Sequence, residues 1–256
     1  MKKQIANVFT LLNLVCGCIS IVYALQNGID IEYTKEGEQF VMLKENIYLA
    51  SIFIAIAAVI DFLDGFIARL LNIPSAIGEQ LDSLADVVSF GVAPGIILYQ
   101  FLRMGVIRDN EGFEASIGWL LPAFIFTCAG AYRLARFNIS ESKNYGFKGV
   151  PIPAAGLVVA SLPLIYWYNN SDFVYRFILN KWFLYVLILL LSWLMVSKLP
   201  IMAMKFNGFT LKNNLSKVIL IVVALVSAIF LKWIAVPVIF IFYILLSLST
   251  IKTKSE

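Results

Sequence analysis

Asp61-Phe62-Leu63-Asp64-Gly65-Phe66-Ile67-Ala68-Arg69 and, eight residues later, Gly78-Glu79-Gln80-Leu81-Asp82-Ser83-Leu84-Ala85-Asp86 put four aspartates into strongly apolar surroundings. The run from Ile47 to Ile60 before them carries no charge, and neither does the run from Val87 to Leu102 after them. A helix crossing the hydrocarbon core needs about 20 mainly apolar residues. These two runs reach that length only as helices that carry the aspartates with them. An unpaired carboxylate on such a helix costs about 3 kcal/mol, and intramembrane acids mark function more often than structure. The stretch therefore predicts two membrane helices that together present an acidic site.

Working outward, the whole chain supports this. Of its 256 residues 61% are hydrophobic and 14% charged, with a mean hydropathy of +0.86, far from the balance of a soluble domain. Apolar stretches at residues 6–26, 47–70, 83–104, 117–137, 151–168, 180–197, 215–231 and 233–250 predict an all-α, polytopic transmembrane helix bundle of eight crossings. Leu231-Lys232-Trp233 is the only link between the last two, which leaves open six crossings plus a re-entrant or single long helix. The chain reads as one integral membrane domain, 1–256, with no room for a soluble one.

Positive residues gather on the cytoplasmic side of membrane proteins. With eight crossings both termini lie on one side, and thirteen of the twenty Lys and Arg residues fall there against seven on the other. Both ends are thus predicted cytoplasmic, and the net charge of +4 reads as this topological bias, with no nucleic-acid partner implied. The first segment follows Met1-Lys2-Lys3 and imitates a secretory signal, but its apolar run is too long and no A-x-A site follows. Cys16, Cys18 and Cys128 all lie in predicted crossings and read as small packing residues. The chain contains no histidine, which excludes His general bases, His metal ligands and Ser-His-Asp triads. Catalysis must rest on carboxylates.

Asp61 and Asp64 are three residues apart and Asp82 and Asp86 four, so each pair shares one helix face. A turn near Leu71 to Ser75, with Pro74 to stop the helix, folds the two helices back and lets the pairs converge at the cytoplasmic membrane surface. An oxygen-only cluster suits hard divalent cations, Mg²⁺ or Mn²⁺, and two ions would balance four charges. Paired metals of this kind polarise phosphoryl groups. Gly65 and Gly78 sit inside the helices, where glycine costs about 1 kcal/mol relative to alanine. They serve either the close approach of a ligand or plain helix packing.

Read in order, Asp61-x-x-Asp64-Gly65-x-x-Ala68-Arg69, eight residues, Gly78-x-x-x-Asp82-x-x-x-Asp86 resembles the signature of the CDP-alcohol phosphotransferase family at all nine defined positions. The resemblance implies that Asp61, Asp64, Asp82 and Asp86 bind two metals, that Asp86 is also the general base, and that Gly65, Ala68, Arg69 and Gly78 surround the CDP moiety. It also implies a homodimer. The signature does not choose the alcohol. Asn7-x-x-Thr10-x-x-Asn13-x-x-x-Gly17, Val88 to Pro94, Arg133-Leu134-Ala135-Arg136-Phe137-Asn138 and Phe147-Lys148-Gly149-Val150-Pro151-Ile152-Pro153 are similar to the membrane-embedded bacterial and archaeal members that make phosphatidylserine. The likeness spans residues 5–165, and 166–256 are additional transmembrane helices onto which no function carries.

By that resemblance the expected reaction transfers the phosphatidyl group of CDP-diacylglycerol to the hydroxyl of L-serine, releasing CMP, at an inner-membrane site facing the cytoplasm. Thr10 and Asn13 lie on one polar stripe of the first helix and serve as helix glue or as nucleotide contacts. Positive-inside bias accounts for Arg133, Arg136 and Lys148, yet a serine carboxylate and a lipid phosphate also need holding, and arginine's fork suits both. Three other readings stand beside this one. A phosphatidylglycerophosphate or phosphatidylinositol-phosphate synthase would keep the nine positions but add a site for a phosphorylated alcohol. An ion or proton transporter also keeps intramembrane acids, and a noncatalytic assembly protein is the third.

Overall fold

The computed structural model describes residues 2–26, 29–33, 39–43, 46–71, 76–110, 115–139, 147–169, 171–202 and 211–252. Helices stand wherever apolar runs predict them: α1 (Lys2–Leu25), α2 (Ile47–Leu71), α3 (Ala76–Asp86), α4 (Ala93–Asn110), α5 (Ile117–Leu120), α6 (Ala123–Ile139) and α7 (Ile152–Tyr168). They are followed by α8 (Asp172–Ile178), α9 (Lys181–Val196), α10 (Leu211–Leu231) and α11 (Ala235–Lys252). Two short antiparallel ribbons complete the described residues. One pairs β1 (Ile29–Tyr33) with β2 (Gln39–Leu43), and the other pairs β3 (Phe147–Lys148) with β4 (Pro200–Ile201).

Among the described residues four helical stretches are long and apolar enough to cross a membrane: Asn7–Leu25, Ile47–Ile67, Ile77–Arg108 and Lys217–Ser249. A fifth arises if α8 and α9, bent by 60° at their junction, form one broken span. The all-α membrane bundle is therefore present, with four to five membrane-capable helices. α10 and α11 pack on each other across a 3-10 turn at Lys232–Ile234, where Lys232 takes a φ of 49°.

The third helical stretch departs from its expected bounds. It starts at Ala76, so Asp82 and Asp86 ride well inside a helix that runs to Asn110, and it widens into a π-helical turn at Val87–Val92. Pro94 supplies the reason: it has no N–H to give to the carbonyls of the preceding turn, so the regular ladder fails there. Thr127 on α6 donates its hydroxyl to Gly91 O at 2.9 Å and ties α6 to this turn.

Packing around this π turn is tight because the facing residues are small. A Cβ on Gly17 of α1 would lie 2.8 Å from Ser89 Cα, and one on Gly156 of α7 would lie 2.9 Å from Phe90 O. Phe90, Phe101 and Phe126 are fully buried in the core that these helices enclose. The outer faces are apolar too, as with Ile229 and Phe230 of α10, exposed by 76% and 79%; lipid is the natural solvent for such a surface.

Candidate metal centre and active site

α2 delivers Asp61 and Asp64, and α3 delivers Gly78, Asp82 and Asp86. α1 packs against both α2 and α3 and braces them. Carboxylate oxygens of Asp61, Asp64 and Asp82 lie within 4.8 Å of one another. Asp86 stands close enough to feel the charge of all three. The four sequence-predicted acids, drawn from two helices, thus meet in one place. The turn at 72–75 and the side chains of Ala68 and Arg69 lie outside the described residues, while Gly65 and Gly78 are half-buried on α2 and α3.

The polar stripe of α1 faces this cluster. Thr10 is buried and donates its hydroxyl to Asp64 Oδ2 at 2.6 Å, which fixes one carboxylate. Asn13 is fully buried beside Asp86, with neither amide atom in a well-formed hydrogen bond. Its backbone carbonyl accepts from Ser89 Oγ at 3.0 Å, tying α1 to the π turn directly after Asp86.

Among the described residues several buried atoms at this centre make no well-formed hydrogen bond: Asp82 Oδ1, Asp86 Oδ1, both amide atoms of Asn13 and Arg133 Nε. Buried polar groups are normally hydrogen-bonded, and leaving one unsatisfied costs about 1 to 3 kcal/mol. Carboxylates gathered with so few donors are the chemistry a hard cation needs. The donor set fits one or more divalent ions held by Asp61, Asp64, Asp82 and Asp86.

The basic residues separate into two kinds. Arg133 on α6 is 6% exposed, lies near Asp86, Arg136 and Tyr243, and stacks loosely over Phe137 at 6.0 Å. Arg136, one turn on, donates to Val196 O at 2.7 Å and Ser197 O at 3.2 Å, closing the C-terminus of α9. Lys148 lies in β3 opposite Pro200, and its side chain is outside the described residues. Asn138 donates to Ser83 Oγ at 2.8 Å and so links the end of α6 to α3 between the two aspartates. Its place in the Arg133 to Asn138 segment was the only hint of this in the sequence. Tyr243 on α11 gave no sequence signal at all.

A family model described as CDP-alcohol phosphatidyltransferase matches residues 3–194. A Helicobacter pylori protein named CDP-diacylglycerol–serine O-phosphatidyltransferase is 36% identical over 232 residues, covering 88% of this chain and 81% of that protein. Proteins of the same name from Bacillus subtilis and Methanocaldococcus jannaschii are 38% identical over 125 residues and 37% identical over 155. The first match covers 49% of this chain and 66% of its relative, the second 60% and 58%.

Proposed function

The chain belongs to the CDP-alcohol phosphatidyltransferase family, and from that premise we propose that it is the enzyme joining CDP-diacylglycerol to L-serine. It transfers the phosphatidyl group to the serine hydroxyl and yields phosphatidylserine and CMP. One observation carries the reading: Asp61, Asp64 and Asp82 bring carboxylate oxygens within 4.8 Å of one another, with Asp86 alongside. The relatives' shared name supplies the acceptor. A transporter would also keep acids in the membrane, but neither the family match nor those names favour it.

In this reading Asp61, Asp64, Asp82 and Asp86 hold two divalent ions, Mg²⁺ or Mn²⁺. Such ions supply charge neutralisation of the pyrophosphate and of the departing CMP. Asp86, with one oxygen unpartnered, takes the proton of the serine hydroxyl. The freed oxygen attacks the phosphorus that bears diacylglycerol, and the bond from that phosphorus to the CMP oxygen breaks. Direct attack fits better than an aspartyl intermediate because the carboxylates are committed as ligands.

Thr10 orients Asp64, and Asn13 offers its amide to Asp86 or to the nucleotide. Gly65, Ala68, Arg69 and Gly78 border the CDP moiety. Arg133, buried with an unpartnered donor, holds the serine carboxylate or the lipid phosphate, with Lys148 on the neighbouring loop and Arg136 behind it. The site opens to the cytoplasm in a chain of eight crossings, with residues 5–165 as the catalytic core and a homodimer as the working form.

The test is to incubate purified protein with CDP-diacylglycerol, Mn²⁺ or Mg²⁺, and a panel of alcohols: serine, glycerol phosphate, inositol phosphate, choline and ethanolamine. CMP release with serine alone is expected. Release with a phosphorylated alcohol instead would move the chain to another branch of the family, and no release with any alcohol would remove the assignment.

A further inference from the structure

Helix α11 lies beyond residue 194, where the family match ends, yet its side chains grip the basic side of the site. Tyr243 donates its hydroxyl to Met202 O at 3.0 Å. One turn later Ser247 accepts from Met202 N at 3.2 Å and donates to Tyr243 O at 2.7 Å. Residues four apart share one helix face, so a single face of α11 holds both backbone groups of Met202. Ser247 is fully buried and Tyr243 is 9% exposed.

Met202 directly follows β4. In the β3–β4 ribbon Lys148 stands opposite Pro200, and Phe147 opposite Ile201. The next residues are fastened as well, with Gly149 N bonded to Leu199 O at 2.8 Å and Val150 N to Leu194 O at 3.1 Å. Gly149 has φ 77°, and a Cβ there would collide with Met195 O, so a side chain at this position would push the loop off α9. Tyr243 also lies close enough to Arg133 for the two groups to influence each other electrostatically. One helix face thus lies near Arg133 and, through Met202 and β4, holds the strand that carries Lys148.

We propose that Tyr243 and Ser247 are positioning residues for acceptor binding: the α11 clamp on Met202 sets the segment that carries Lys148, and the Tyr243 phenol sets Arg133. The helices added after the family core then tune how the amino-acid acceptor is held. CDP-diacylglycerol, seated on the acidic side, is left to α1, α2 and α3. This rests on the reading in which Arg133 and Lys148 hold an anionic group of the acceptor.

The experiment measures kcat and KM for serine and for CDP-diacylglycerol in the full-length protein, comparing wild type with Tyr243→Phe and Ser247→Ala. Tyr243→Phe keeps the ring and loses one hydrogen bond, which is worth about five- to tenfold in an equilibrium at most. Its serine KM should rise about fivefold, with CDP-diacylglycerol KM unchanged and the thermal midpoint lowered by no more than about 4 °C. Ser247→Ala should shift serine KM in the same direction, and Ser247→Thr should restore it. An unchanged serine KM in Tyr243→Phe would overturn the inference, as would equal rises for both substrates accompanied by a lower thermal midpoint. Failure of the underlying reading looks different, because the wild type would then release no CMP in response to serine.

Discussion

The acidic side of the site, built by α2 and α3, and the basic side, built by α6, the 147–150 loop and the segment before β4, are finished in opposite ways. On the acidic side Asp82 Oδ1 and Asp86 Oδ1 make no well-formed hydrogen bond among the described residues, and Asp64 receives one from Thr10. On the basic side Arg136 spends its donors on Val196 O and Ser197 O, and the loop backbone is bonded at Gly149 and Val150. Among the described residues, Arg133 Nε is buried there without a hydrogen-bond partner. The contrast teaches how to read such a site: groups already bonded to backbone, such as Arg136, read as scaffold, and the open ones beside the acidic cluster are those the proposed ligands would partner.

Asp86→Asn presses hardest on that contrast. It preserves shape but removes the proposed base, and a positioned general base contributes about 10² to 10⁴ in rate. We expect kcat to fall about a thousandfold with no change in thermal midpoint, measured as CMP release alongside a melting curve. Activity near wild type would show that the open oxygen of Asp86 has no chemical role.

Arg136→Ala sharpens the other half, with a smaller effect of a different kind. It removes charge-assisted bonds to the last carbonyls of a helix, worth about 1.5 to 3 kcal/mol. Stability should drop while serine KM stays within about twofold. A large rise in serine KM without loss of stability would place Arg136 with the ligand-facing groups beside Arg133.

Much of this was legible in the sequence for a simple reason: helical spacing reports which residues share a face of one helix. The pairs Asp61 with Asp64 and Asp82 with Asp86 follow from it, as does the stripe of Thr10, Asn13 and Gly17 on α1. Spacing says nothing about which faces meet across 40 residues or more. The bond from Thr10 to Asp64, that from Asn138 to Ser83, and the grip of Tyr243 and Ser247 on Met202 all belong to that second class. The π turn at Val87–Val92 was hidden differently, because its apolar residues fit an α-helix equally well and only Pro94 hinted that the ladder would break. The ribbon of β3 with β4 escaped notice since two-residue strands carry no periodicity to read.

The most direct test of the account is a Mn²⁺ titration of the purified full-length protein, followed by the disappearance of the free-ion electron paramagnetic resonance signal. Wild type is compared with the double variant Asp61→Asn and Asp82→Asn. We predict that two ions bind per chain in the wild type and that tight binding is lost in the variant while it remains folded. Equal stoichiometry and affinity in both proteins would contradict the claim that these aspartates form the metal centre.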